Sequence, residues 1–129
     1  MRIDHLAIWV NDLEQMKEFY HCYFGASYNE RYENPNKGFS SYFMEFGLGK
    51  ARIELMHRAD IATVLKTGSD FIGLAHFAIS LGSEEMVVSL TEKFRKDGIT
   101  VVGEPRTTGD GYFESVILDP EGNTIELTV

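Results

Sequence analysis

A pattern of one histidine and one glutamate occurs twice in this chain. His5-Leu6-Ala7-Ile8 returns 71 residues later as His76-Phe77-Ala78-Ile79, and Ile53-Glu54-Leu55 returns 72 residues later as Ile125-Glu126-Leu127. This nearly constant spacing indicates an internal duplication, in which one supersecondary unit is repeated. The fold must therefore place a His and a Glu at equivalent points of two similar modules.

The first module, about residues 1–58, has the hydrophobic periodicity of a β-α-β-β-β unit. Residues 3–10 alternate as a strand, and Asp12 with Gln15 three residues later predicts the start of a helix that ends at Gly25. Strands are predicted at 28–33, 40–46 and 51–57, and residues 47–50 read as a hairpin turn between the last two.

The second module, about residues 74–129, follows a connector of about 59–73 that includes a predicted helical turn at 60–66. It repeats the β-α-β-β-β order, with strands at 74–81, 100–103, 112–118 and 123–129, a helix from Ser83 to Gly98, and a polar loop at 104–111. The prediction is one α+β domain of residues 1–129. Its two tandem βαβββ modules are expected to form a curved mixed sheet with the helices on its convex face.

The repeated residues form a set of candidate metal ligands. Strand alternation puts each of them opposite an apolar face that would pack beneath a helix. Two imidazoles and two carboxylates suit a divalent metal: zinc or nickel, with cobalt, manganese and iron also compatible. Such a metal polarises substrate oxygens, and a ligand carboxylate that leaves it can move a proton between carbons. Taken singly, each residue has an ordinary alternative as a hydrogen-bonded His or a solvated Glu. The predicted ligands are His5, Glu54, His76 and Glu126.

Composition excludes some partners. A net charge of −8 and a pI of about 4.9 disfavour nucleic acid, which requires clustered basic residues. No apolar run approaches the roughly 20 residues of a membrane span. A chain that opens without a signal-peptide pattern and has one cysteine is expected in the cytoplasm.

These residues resemble the vicinal oxygen chelate superfamily, which includes glyoxalase I, over nearly the whole chain. The most specific stretch is Asp119-Pro120-Glu121-Gly122-Asn123-Thr124-Ile125-Glu126-Leu127. The resemblance implies the glyoxalase/bleomycin resistance/dioxygenase fold and assigns the four residues as the His-Glu-His-Glu ligands of bacterial glyoxalase I. It also implies a homodimer with the site at the subunit interface. The implied reaction turns the hemithioacetal of a 2-oxoaldehyde into a 2-hydroxyacyl thioester, with Glu126 as the base and Glu54 as its mirror candidate.

The sequence departs from glyoxalase I where that enzyme grips glutathione. Trp9 stands where the resemblance leads us to expect an arginine, and Arg58 where it leads us to expect an asparagine, so another thiol or oxyanion is a candidate ligand. Met44, which shares a strand face with Tyr42 and Phe46, is a further candidate substrate contact, with core packing as its alternative. Two further candidate substrate contacts are Arg106, which lies in a glycine-containing loop, and Tyr112, which lies beside that loop.

Three other kinds of site occur among proteins of the resemblance, with four functions between them. An epimerase of the methylmalonyl-CoA type also uses four ligands, often with Gln at the first acidic position, which Glu54 disfavours. Fosfomycin-type thiol transfer and extradiol ring cleavage use two His and one Glu, which Glu54 also disfavours. A non-catalytic member of the superfamily that binds a small molecule lacks the ligand set.

Overall fold

The computed structural model describes residues 3–47, 51–62 and 73–129. Within it the chain divides into two compact units, Met1–Leu65 and Lys66–Val129. The predicted turn at 48–50 and most of the predicted connector lie outside the described residues. Residues 60–62 form a turn and a bend rather than the first part of a helix.

Unit one contains one α-helix and a mixed sheet. Its elements are β1 (His5–Trp9), α1 (Leu13–Phe24), β2 (Ser27–Tyr28), β3 (Tyr32–Asn34), a 3-10 turn (Pro35–Lys37), β4 (Phe39–Phe46) and β5 (Ala51–Arg58). The helix begins and ends as predicted, because the Asp12 carboxylate accepts from the Gln15 N–H and Gly25 adopts φ 63°. β1 runs parallel to β5, whereas β2 and β3 pair antiparallel with β4.

The prediction of a single strand at 28–33 is wrong, because the structure has two short strands there, β2 and β3. The Asn29 side-chain oxygen accepts the Phe43 N–H at 2.7 Å. A side chain thus takes the place of a backbone partner at this point, and the pairing with β4 resumes only at Tyr32.

Unit two has the predicted β-α-β-β-β order. It consists of β6 (Phe77–Ser80), α2 (Glu84–Lys96), β7 (Val101–Thr107), β8 (Phe113–Leu118) and β9 (Thr124–Thr128). The strands form a sheet in the order β6-β9-β8-β7, with β6 parallel to β9. The Ser83 hydroxyl caps α2 by accepting the Met86 N–H. The α+β class is confirmed, and each unit has its own mixed sheet and helix.

Two boundaries in unit two differ from the prediction. β6 begins at Phe77, so His76 lies just before the strand. β7 continues to Thr107 through residues predicted as loop, with register shifts that flank Gly103. Pro105, which has no backbone N–H to donate, is tolerated there because β7 is the edge strand of this sheet among the described residues.

Each helix covers one face of its own sheet. In unit one, Tyr42 of β4 donates its hydroxyl hydrogen to Glu14 of α1 at 3.0 Å, so the buried Met44 and Leu55 lie on the helix side. In unit two, Thr91 of α2 and Ser115 of β8 share a buried hydrogen bond of 2.7 Å. The opposite face of each sheet is called here its helix-distal face. Within the described residues, neither helix has the length and apolar character that a membrane crossing needs.

Candidate functional site

The helix-distal face of unit one carries His5 and Glu54. The parallel register of β1 and β5 places Ala7 beside Glu54 and His5 beside Arg52, so both predicted ligands project to the same side. His5 Nε2 lies 3.7 Å from Glu54 Oε2. The Glu54 side chain is 16% exposed and the His5 side chain is 37% exposed, so both groups remain accessible on this face.

The helix-distal face of unit two carries the matching pair. Glu126 in β9 is in register with Ala78 and Val116, and His76 comes directly before β6. His76 Nε2 lies 3.2 Å from Glu126 Oε2, and the Glu126 side chain is 19% exposed. The duplication read from the sequence therefore corresponds to one His–Glu pair in each unit, with Nε2 toward the carboxylate in both.

The turn before β9 fixes the position of Glu126. The Asp119 carboxylate accepts the backbone N–H groups of Glu121 and Asn123 at 3.0 and 2.8 Å, and it also accepts the Asn123 side-chain amide. A carboxylate that closes a turn in this way sets where the following strand starts. The most specific stretch of the sequence therefore determines which way Glu126 faces.

The donor chemistry of each pair fits a divalent metal, and each unit contributes two donors. An imidazole nitrogen and a carboxylate oxygen, both on an accessible face, are the donor types that zinc and nickel take from proteins. Among residues 3–47, 51–62 and 73–129, no group of three or more His, Cys, Asp or Glu side chains is brought together for a metal ion. The four-ligand centre therefore stays a prediction.

Trp9 and Arg58 lie together at the other end of the helix-distal face of unit one. The Arg58 guanidinium sits 5.6 Å from the Trp9 ring, and Trp9 meets Phe39 edge to face. Arg58 also donates to the Asp60 carboxylate. The sequence predicted both as substrate contacts, and the structure makes them neighbours on the same face as His5 and Glu54.

Met44 lies elsewhere. It is fully buried on the helix side of the sheet, in register with Ile53, whereas its neighbour Phe43 is in register with Glu54. Alternation along β4 therefore turns Phe43, not Met44, toward the candidate ligands. The core alternative holds for Met44, which does not reach the surface where a ligand of Glu54 would lie.

Arg106 and Tyr112 belong to unit two. Arg106 donates to the buried Glu114 carboxylate at 3.1 Å, and the register shifts in β7 bring the two opposite each other. Tyr112 is 62% exposed, and its carbonyl accepts the Thr108 N–H, which closes the loop ahead of β8. Arg106 is thus adjacent to the strand pair that holds Glu126.

Glu114 is a residue of this site that the sequence reasoning missed. It lies on the helix-distal face of β8, where its register partner is Thr128, two residues from Glu126. Burial, and then the nearby negative charge of Glu114, raises the pKa of Glu126 above its ordinary 4.5, against an opposing effect of His76. A carboxylate held in this way is a stronger base than a solvated one. The available signal was one charged residue in the otherwise apolar and small run Phe113–Leu118.

Comparison with known proteins places these observations in a family. Residues 2–127 match the profile of the glyoxalase/bleomycin resistance protein/dioxygenase superfamily. Lactoylglutathione lyase GLX1 of Arabidopsis thaliana is 31% identical over 129 residues, which cover 98% of this chain and 43% of that protein. The chain therefore spans less than half the length of the curated relatives it matches.

Solved structures agree on the fold. The trypanothione-dependent glyoxalase I of Leishmania major aligns with a TM-score of 0.78 and 22% identity, over 99% of this chain and 86% of that one. A glyoxalase/bleomycin resistance protein/dioxygenase domain from Frankia sp. aligns with a TM-score of 0.81 and 17% identity, over 100% and 97%. The chain belongs to the glyoxalase/bleomycin resistance protein/dioxygenase superfamily, also called the vicinal oxygen chelate superfamily.

Proposed function

We propose that this chain is a metal-dependent lyase of glyoxalase I type. It converts the hemithioacetal of a 2-oxoaldehyde and a thiol into a 2-hydroxyacyl thioester. The observation that carries the proposal is the repeated His–Glu pair, at 3.7 Å in unit one and 3.2 Å in unit two. Relatives named lactoylglutathione lyase support the same chemistry.

His5, Glu54, His76 and Glu126 are the proposed ligands of one divalent metal, nickel or zinc, with cobalt, manganese and iron compatible with the same donors. Both pairs fit this role because each presents an imidazole nitrogen and a carboxylate oxygen on an accessible face. When bound, the metal supplies Lewis-acid chemistry that polarises the substrate oxygens.

Glu126 is the proposed base. Its carboxylate takes the proton from C1 of the hemithioacetal and returns it at C2, so the reaction is an isomerisation that needs no oxidant. The raised pKa of Glu126, caused by burial and by the charge of Glu114, favours proton uptake from carbon. Glu54 is the mirror candidate on the other module.

The chain's other residues would hold the thiol part of the substrate. Trp9 presents an indole face and Arg58 a guanidinium on the same side of the sheet as Glu54, and together they suit an apolar segment that ends in a carboxylate. Arg106 and the exposed Tyr112 are proposed contacts from unit two. Since Trp9 and Arg58 replace the residues that the resemblance implies for glutathione, a different cellular thiol is a candidate.

The decisive experiment measures thioester formation from methylglyoxal with glutathione and, in parallel, with bacillithiol. The protein is stripped of metal and reconstituted separately with nickel, zinc, cobalt and manganese. We expect turnover with at least one metal, and its loss in Glu126→Gln while the far-ultraviolet circular dichroism stays unchanged. Glu85→Gln, an exposed position on α2, is the matched control and should keep full activity. Full activity in Glu126→Gln would refute the assignment of the base.

We further propose a cytoplasmic homodimer in which two chains share each site. A complementation test separates shared from unshared sites. It uses two double variants, His5→Ala/Glu54→Gln and His76→Ala/Glu126→Gln, and we expect each to be inactive alone. If each site takes one His–Glu pair from each of the two chains, mixing and refolding the two variants should restore about a quarter of wild-type activity. Half the dimers are then heterodimers, and each heterodimer has one intact site of two. No recovery from a mixture shown to contain heterodimers would refute sharing.

A further inference from the structure

The surroundings of His5 in unit one form a connected cluster of four side chains. The Arg52 guanidinium donates to Asp4 Oδ2, and the same oxygen lies 3.1 Å from His5 Nδ1. The Phe43 ring meets the His5 ring edge to face, with centroids 5.2 Å apart, and lies 4.7 Å from the Arg52 guanidinium. Contacts from two neighbouring strands and from the preceding residue therefore hold the His5 ring.

This arrangement selects one nitrogen of His5. A carboxylate accepts a hydrogen and does not donate one, so the Asp4 contact keeps the hydrogen of a neutral ring on Nδ1. Nε2 then has a free lone pair, and it is the nitrogen that faces Glu54 at 3.7 Å. A carboxylate behind a histidine that binds metal orients the ring and raises the basicity of the other nitrogen.

Unit two lacks the residues that make this cluster. Ala75 precedes His76, where Asp4 precedes His5, and Thr124 stands two residues before Glu126, where Arg52 stands two before Glu54. Val116 is in register with Glu126, where Phe43 is in register with Glu54. The duplication kept the histidines and glutamates, whereas the equivalent positions around His76 do not carry the Asp–Arg–Phe cluster that surrounds His5.

We propose that Asp4 and Arg52 are positioning residues that pre-orient His5 as a metal ligand through Nε2, with Phe43 as the surface on which the ring rests. The pair in unit one is then the pre-organised half of the proposed ligand set. The inference rests on the proposed metal-dependent function for its consequence in binding. The orientation of His5 is a separate claim about the metal-free protein.

The first test reads the orientation without metal. Long-range ¹H–¹⁵N spectra of the histidine rings are recorded on metal-free protein at about pH 8.5, above the ordinary histidine pKa of about 6.5. We expect His5 as the Nδ1–H tautomer in the wild type, loss of that signature in Asp4→Ala, and unchanged signals from His76. The matched control is Asp97→Ala, which removes another exposed ion-paired aspartate, bonded to Lys93 at 2.6 Å on α2. A His5 tautomer unchanged by Asp4→Ala overturns the orienting role.

The second test measures nickel and zinc affinity by competition with a chromophoric chelator. Loss of the carboxylate behind a ligand histidine typically weakens metal binding by about 10–100-fold, and we expect Asp4→Ala to fall in that range. Arg52→Gln leaves the Asp4 acceptor in place and should give a smaller loss in the same direction. Asp97→Ala should bind as the wild type does.

The outcomes separate the two proposals. Wild-type binding that Asp4→Ala leaves unchanged overturns the positioning role and leaves the metal centre standing. A wild type that binds neither metal overturns the proposed function, and the tautomer measurement still decides whether Asp4 orients His5. A loss of thermal stability equal to that of Asp97→Ala, with tautomer and affinity unchanged, would make Asp4–Arg52 a surface ion pair alone.

Discussion

Replacing Met44 with alanine separates a core residue from a substrate contact. Met44 is fully buried between β4 and α1, in register with the buried Ile53 of β5. Truncating a buried methionine removes the stabilisation gained by burying its side-chain atoms and leaves a cavity. Together these lower the free energy of unfolding by about 2–5 kcal/mol. If the chain unfolds in one transition, 1 kcal/mol shifts Tm by about 4 °C at this size, so a loss of about 3 kcal/mol lowers Tm by roughly 12 °C.

The same substitution should not change the affinity for substrate. Met44 and Glu54 project to opposite faces of one sheet, because Phe43 rather than Met44 is in register with Glu54. Well below the Tm of the variant, KM in the thioester assay and the Kd for nickel should stay within about twofold of the wild type. Met44→Leu, which nearly conserves volume, should cost less than about 1.5 kcal/mol.

Met16→Ala is the matched control, since Met16 is equally buried on α1. Thermal melts followed by circular dichroism, together with steady-state kinetics, should show the same behaviour in both alanine variants: lower Tm and unchanged KM. The reasoning fails if Met44→Ala keeps the wild-type Tm and raises KM severalfold, because Met44 would then contact substrate.

Three further predictions follow from unit two. Because the pKa of Glu126 is raised in the native state, that state retains a proton which unfolding releases, so the contribution of Glu126 to the stability of the metal-free protein falls as pH rises above the ordinary carboxyl range. Glu126→Gln should flatten this fall in denaturant titrations across that pH range. Glu114→Gln removes a charge that raises the pKa of Glu126, so the acidic limb of the kcat/KM profile should move to lower pH; an unmoved limb contradicts the coupling. Thr91→Val removes the hydrogen bond that the buried Ser115 hydroxyl makes with Thr91, and it should lower the free energy of unfolding by about 1–3 kcal/mol in denaturant titrations. Adding Ser115→Ala should recover part of that loss.

The sequence predicted on which strand faces the candidate ligands lie, because alternation and duplication act together. His5 and Glu54 sit opposite apolar residues, and the same holds for Glu126, so the helix side of each sheet follows from pattern alone. The capping residues Asp12 and Ser83 also have a local chemical signature, and both helices begin where that signature stands. Strand faces and helix starts, which depend on neighbouring residues in the chain, could therefore be predicted from the sequence.

What the sequence did not reveal depends on register between strands. An apolar face of β4 looks the same whether it lines a pocket or a core, so Met44 was assignable only once Phe43 was seen beside Glu54. The contact of Arg106 with Glu114 depends on the register shifts in β7, which no spacing rule predicts. The interruption at Asn29 is similar, because a side-chain acceptor for the Phe43 N–H leaves no periodic trace.

If the two His–Glu pairs are the proposed ligands, the divergence around them explains how a duplicated ligand set can acquire unequal roles. In unit one the neighbours act on the histidine, since Asp4 accepts from Nδ1 and Arg52 holds Asp4. In unit two they act on the glutamate, since burial and Glu114 raise the pKa of Glu126. A fixed imidazole suits a permanent ligand, and a carboxylate with a raised pKa suits a group that takes up and returns a proton. Two pairs with identical surroundings would leave both glutamates equally suited to the proposed base role, so the neighbouring residues, rather than the proposed ligands themselves, favour Glu126.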